Sequence, residues 1–195
     1  DFKKIGLEDY GKPGNYVARQ VSRWSKQYRA SETDNIEAMN NLIEWLPKNI
    51  PDDDETTIVH GDYRLDNMIL KNNEVIGILD WELSTLGHPI ADFSYHCLSW
   101  RTQEAFWDEA KLKELGIPSE KEYMEMYCEN SGKDLSKNWE FYMAFNMFKI
   151  AGILQGILGR VRDGTAASKH AEERGNMVFP LSQAAWTTIE DNFLK

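Results

Sequence analysis

Cysteine is scarce in this sequence: 195 residues contain two, Cys97 and Cys128. A disulfide framework or thiolate zinc site needs more of them at closer spacing, so neither is supported, and a reducing, cytoplasmic setting is expected. Histidine is scarce too, and His88 and His96 lack the i, i+4 spacing that puts a metal pair on one helical face. Basic charge is short, with 22 Lys and Arg against 32 Asp and Glu and a formal charge of −10. Such a chain repels phosphate backbones and anionic lipid, which argues against nucleic-acid and membrane partners. The same sign favours a cationic or metal-bound substrate, although an acidic surface commonly serves solubility alone. Uninterrupted apolar runs are missing as well. The nearest approach, FYMAFNMFKIAGILQGIL from Phe141 to Leu158, is broken by Asn146, Lys149 and Gln155 and predicts a buried core helix rather than a membrane span. There is no repeat or low-complexity tract, so a folded domain is expected.

What is present alternates in period. In SETDNIEAMNNLIEWLP, Ile36, Met39, Leu42, Ile43 and Leu46 recur at helical spacing, with Ser31 or Thr33 as N-cap and Pro47 as the stop. Pro51 to Glu55, PDDDE, reads as a solvated acidic turn leading to a short strand at Thr57 to Val59. Met68 to Leu70 and Val75 to Leu79 are apolar runs separated by KNNE, whose Asn72-Asn73 pair suits a tight turn and predicts a β-hairpin. From Ile90 onward the pattern is helical, over 90–101, 104–115, 119–130, 137–162 and 169–193, with breaks at Gly116-Ile117-Pro118, Ser131-Gly132 and Asp163-Gly164. The expected class is α+β, mainly α, as one domain over 1–195.

A knot of polar residues, HGDYRLDN from His60 to Asn67, stands where the first strand ends. The hairpin places Asn67 just before its first strand and Asp80 just after its second, so antiparallel pairing brings both to one end, near Asp62. Two carboxylates and an amide are hard-oxygen ligands suited to Mg²⁺, which is commonly held by one or two carboxylates together with substrate phosphates. A magnesium-nucleotide site fits that inventory.

These residues resemble a family. HGDYRLDN is similar to the catalytic loop of the aminoglycoside phosphotransferase and choline kinase group, a branch of the protein-kinase-like fold, and ILDWE is similar to that group's Ile-Asp-Trp-Glu. GHPIADFS resembles its Gly-Asp-Pro-x-x-Asp-Leu segment, with His88 in place of the usual acidic residue. LDWELSTLGHPIADFSY and GLEDYGKPGNYVARQVSRWSKQY look closest to the kinase-like domains attached to certain acyl-CoA dehydrogenases and to stand-alone bacterial relatives. The resemblance implies the C-terminal lobe of a kinase-like fold whose small hairpin carries the catalytic and metal loops, with ATP and Mg²⁺ as cofactors. Asp62 would be the catalytic base or hydroxyl-orienting group, and Asn67 and Asp80 the Mg²⁺ ligands. Asp92 would brace the loop and His60 support it.

Other residues stay open at this point. Arg64 would contact phosphate or pair with Asp66, and Glu82 would meet substrate or an ion, or stand on the surface. Trp81, Trp100 and Trp107 would face a ligand amine or pack in the core. The acceptor would be a small-molecule hydroxyl of aminoglycoside, choline or hydroxyacyl type. No Gly-rich phosphate loop followed by a strand lysine is found, since GKPGNY at Gly11 to Tyr16 reads as a turn before a helix. The chain opens on Asp1, and the N-terminal nucleotide-binding lobe of the same protein is expected as the missing partner, leaving the isolated chain inactive. The alternatives are a metal-dependent phosphohydrolase using Asp62, Asp80 and His60, and a catalytically silent binding module.

Overall fold

The computed structural model describes residues 1–102 and 109–195. Helix α7, Trp139–Arg162, is its axis, and it packs most extensively against α9, Val178–Phe193, and α1, Tyr16–Ser31. The first half of α7 is buried almost all round, from Phe141 through Phe148, as expected of a central helix. It is the one helix among the described residues long and apolar enough to cross a membrane, and its apolar faces are turned to the surrounding helices. Two of the polar residues that interrupt it donate to its neighbours through their amide nitrogens, while their amide oxygens are buried without a partner among the described residues. Asn146 Nδ2 donates to the Ala91 carbonyl (2.9 Å) and Ser94 Oγ (2.8 Å), and Gln155 Nε2 donates to the Ser31 carbonyl (2.7 Å) and Thr33 Oγ1 (3.0 Å).

Helix α2, Glu37–Trp45, buries Met39 and Leu42 against α9 and passes into a 3₁₀ turn at Leu46–Lys48 that contains Pro47. Its N-cap is Ile36 rather than Ser31 or Thr33. Ser31 still belongs to α1, and Thr33 is taken up by Gln155. The acidic turn is more than solvated surface. Asp54 Oδ1 accepts from the Asn15 amide (2.7 Å), Asp53 Oδ2 lies 3.5 Å from His88, and Glu55 pairs with Lys133.

Two small antiparallel sheets follow. Strand β1, Thr57–Val59, pairs with β4, Thr85–Gly87, in the register Thr57↔Gly87 and Val59↔Thr85. The sequence pattern does not announce β4, whose three residues are too few to show alternation. Strands β2, Met68–Lys71, and β3, Glu74–Ile78, form the expected hairpin, with a register shift between Ile69 and Leu70. Asn72 (φ 52°) and Asn73 (φ 63°) both sit in the left-handed region that a two-residue hairpin turn requires.

The stretch expected as one helix over 90–101 is two, α3, Pro89–Cys97, and α4, Ser99–Thr102, divided at Leu98. Helix α5, Glu109–Glu114, emerges from the segment outside the described residues, and Trp107 lies in that segment. Helix α6, Glu120–Ser131, starts on a Ser119–Glu122 capping box and stops at Gly132, as the breaks in pattern predict. The stretch 169–193 is also two helices, α8, Ala171–Gly175, followed by α9. Arg101 clamps this half together, with Nε on Glu120 (2.8 Å) and Nη1 on Glu140 (2.6 Å).

Candidate active site

Strand β1 ends at Val59 and delivers His60, Gly61 and Asp62 onto the start of α3. Asp92 on α3 holds this turn by its main chain: Oδ2 accepts from the His60 amide (2.7 Å) and Oδ1 from the Gly61 amide (2.9 Å). Gly61 must be glycine, because φ is +86° and an added Cβ would meet the Leu83 carbonyl oxygen at 2.6 Å. His60 is buried and both ring nitrogens are engaged. Nε2 lies 2.7 Å from the Leu79 carbonyl, which can only accept, so the ring is protonated there and Nδ1 accepts from the Asp62 amide (3.3 Å).

Asp62 is tethered through both carboxylate oxygens. Tyr95 Oη donates to its Oδ1 (2.7 Å), and Asn67 Nδ2 reaches both its main-chain oxygen (2.9 Å) and Oδ2 (3.2 Å). Burial first, then the bond to Asp62, pushes the Tyr95 phenol up to about 12, so it remains a donor throughout the neutral range. Because Nδ2 of Asn67 faces a carbonyl and a carboxylate, its Oδ1 is the open atom of the amide. The Leu79 amide donates to the Asn67 carbonyl (2.8 Å), closing the hairpin base and setting Asp80 beside Asn67. Asp80 is exposed and held at φ 63°, ψ 54°, a left-handed conformation uncommon for a non-glycine residue. One exposed carboxylate beside one free amide oxygen fits Mg²⁺ shared with substrate phosphates. Among the described residues, no three His, Cys, Asp or Glu side chains are placed to hold a metal by themselves.

Arg64 is ion-paired with Asp66 on the exposed side of the loop. Trp81 is exposed, donates through Nε1 to the Ile78 carbonyl (2.9 Å) and packs on His60 at 4.8 Å. Trp100 stacks on Tyr123 at 5.2 Å and bonds the Pro118 carbonyl, so it serves packing, whereas Trp81 keeps an exposed face beside His60. Glu82 does face a cavity. Together with Asp62, Tyr95, Arg19, Arg23 and Lys149 it lines a pocket of about 690 Å³ between α1, α7 and the loop. Tyr95 and the three cations are functional candidates that sequence reasoning passed over. The only signal they offered was Lys149 breaking the apolar run of α7.

A mostly helical chain with small sheets carrying this loop is a kinase-like phosphotransferase fold, and the chain belongs to the phosphotransferase enzyme family, whose model matches residues 1–127. It is 45% identical over 193 residues to acyl-CoA dehydrogenase family member 10 of Mus musculus, and 40% identical over 190 residues to family member 11 of Homo sapiens. Those alignments cover 95% and 94% of this chain but 18% and 24% of the relatives, so the chain spans about a fifth to a quarter of their length. A solved structure from Ralstonia eutropha JMP134, provisionally assigned as an aminoglycoside phosphotransferase, superposes with a TM-score of 0.92 at 48% identity, covering 98% of this chain and 60% of that one.

Proposed function

We propose that this chain is the C-terminal, acceptor-binding lobe of an ATP- and Mg²⁺-dependent phosphotransferase acting on a small-molecule hydroxyl. The observation that carries the reading is Asp62, fixed by Tyr95 and Asn67 at the mouth of a pocket, with Asn67 Oδ1 and Asp80 adjacent at the hairpin base. In the proposed reaction Asp62 orients the acceptor hydroxyl and takes its proton. The acceptor oxygen bonds to the γ-phosphorus as the bond to the β,γ-bridging oxygen breaks, and ADP leaves. Asn67 and Asp80 would hold Mg²⁺, whose contribution is to neutralise phosphate charge. Asp92 and His60 act by positioning the loop, since neither has a free atom toward the pocket mouth. Aminoglycoside-like, choline-like and hydroxyacyl-like compounds form the acceptor panel, and the nucleotide-binding lobe would lie outside this chain.

A two-metal phosphohydrolase is less well supported, because His60 spends both nitrogens on the protein. The test is transfer of labelled γ-phosphate from Mg-ATP to the acceptor panel by the longer protein, with Asp62→Asn as control. Transfer that falls by a factor of about a thousand or more in the control supports the reading. No transfer to any acceptor, together with Mg²⁺-independent nucleotide binding, points instead to a silent binding module.

A further inference from the structure

The pocket beside Asp62 has the opposite charge balance from the molecule. Against a formal charge of −10 overall, its walls carry Lys12, Arg19, Arg23 and Lys149, with Glu82 and Asp62 the opposing carboxylates. None of these cations forms an ion pair with a carboxylate among the described residues. The Arg19 guanidinium donates to the Gly14 carbonyl and to the Lys12 carbonyl (2.7 Å), which fixes its direction without neutralising it. Arg23 lies over the Trp24 ring, its guanidinium carbon 5.1 Å from the centroid. Lys149 Nζ lies 4.9 Å over the ring of Tyr95, the residue that donates to Asp62.

A partly buried lysine with an aromatic face but no carboxylate is an expensive arrangement for folding alone. Burial lowers the Lys149 pKa below the ordinary lysine range, with Asp92 and Asp62 pulling it back up and Arg23 acting with burial. A bound anion would reverse that penalty. An amine-bearing acceptor would meet four cations there and gain only Glu82 and Asp62.

We propose that Lys149 and Arg23 form an anion subsite in the pocket that Asp62 also lines, so that the acceptor is a hydroxyl compound bearing its own carboxylate or phosphate. This rests on the phosphotransferase reading of the site. It assigns specificity to charge on α1 and α7, and it reverses the expectation of a cationic substrate drawn from net charge.

Two experiments separate the proposals. Calorimetric titration of this chain with 3-hydroxybutyrate, its neutral amide, choline and inorganic phosphate reads the subsite without turnover. The two anions are expected to bind at least tenfold more tightly than the amide or choline. Lys149→Met should weaken them tenfold or more, and Arg23→Gln, an exposed position that leaves the core untouched, severalfold. Equal binding of acid and amide, or anion binding that both folded variants retain, overturns the subsite and leaves an adventitious ion only. Phosphoryl transfer by the longer protein to the same hydroxyl compounds is the second arm. Faster transfer to choline than to the hydroxy acid overturns the subsite while the phosphotransferase reading stands. Lys149-dependent anion binding with no transfer to any acceptor keeps the subsite and removes the phosphotransferase reading.

Discussion

At the residue scale, the loop rests on one carboxylate. Asp92 accepts two main-chain amides at 2.7 and 2.9 Å, and Asp92→Ala leaves both donors unpaired in a partly buried turn. The expected loss is about 2–4 kcal/mol in denaturant unfolding, with Asp92→Asn intermediate because one oxygen survives. A midpoint unchanged in the alanine variant would remove the bracing role. His88 supplies a pH test. It is 1% exposed, its ring is 5.0 Å from that of Tyr142, and Nδ1 has no partner. Burial, only partly opposed by Asp53 and Glu55, lowers its pKa below 6.5, and burial lowers that of His96 as well. The unfolded chain therefore binds more protons than the folded one below about pH 6.5, and stability falls as pH falls through that window. The thermal midpoint should drop between pH 7.5 and 5.5, and His88→Gln should flatten the drop while lowering stability at pH 7.5. An equally steep profile in the variant would exonerate His88. From sequence, the convergence of Asp62, Asn67 and Asp80 was legible because short local turns fix their spacing, whereas Asp92 was reached only through the family resemblance of its segment. Tyr95 and Lys149 were not, since one aromatic and one lysine inside helices look like ordinary packing and solubility residues until the helices are placed.

At the element scale, the pocket exists because α1 and α7 approach closely. Gly152, Gly156 and Gly159 follow one face of α7 opposite Trp24, Gln27 and Ser31. A Cβ at Gly159 would stand 2.8 Å from Ser31 Cβ, whereas at Gly156 it would meet only the Gln27 amide tip at 3.0 Å. Gly159→Leu should therefore cost about 2–3 kcal/mol by overpacking, lower the thermal midpoint, and weaken whatever the pocket binds, because Arg19 and Lys149 sit on the two helices forced apart. Gly156→Ala should be close to neutral, gaining helix propensity while Gln27 swings aside. Equal melting of the two variants would contradict the close approach. The same comparison shows what pattern conveys. Helix α7 was legible as a core helix from its apolar content, and the β2–β3 hairpin from Asn72-Asn73. The start of α2 was not, because Thr33 is taken up by the tertiary bond from Gln155, and the split at Leu98 was not, because no Gly or Pro marks that break in the sequence.

At the scale of the whole molecule, net charge averages an acidic exterior with a pocket lined by Lys12, Arg19, Arg23 and Lys149, so it does not report the charge that an acceptor would meet. Composition also hides where apolar surface lies. Leu65, Leu70, Val75, Ile76, Leu79 and Leu83 are all more than 45% exposed, and all belong to the hairpin and the turns at its base. A two-stranded hairpin without a covered face is marginal, and one whose strands both leave large apolar side chains in solvent is suited to packing against another body. Under the proposed function this surface faces the nucleotide lobe, and the chain spans 60% of the solved neighbour it matches. The chain alone should then bind a hydrophobic dye at this face and show no stabilisation by Mg-ATP. The longer protein should lose the dye signal and gain thermal stability, by about 2.7 kcal/mol at a hundred times its nucleotide Kd. Removing Mg²⁺, or substituting Asp80→Ala, should shrink that gain. If the chain alone is stabilised by Mg-ATP as strongly as the longer protein, the hairpin face is not a lobe interface, and the nucleotide is held by these 195 residues alone.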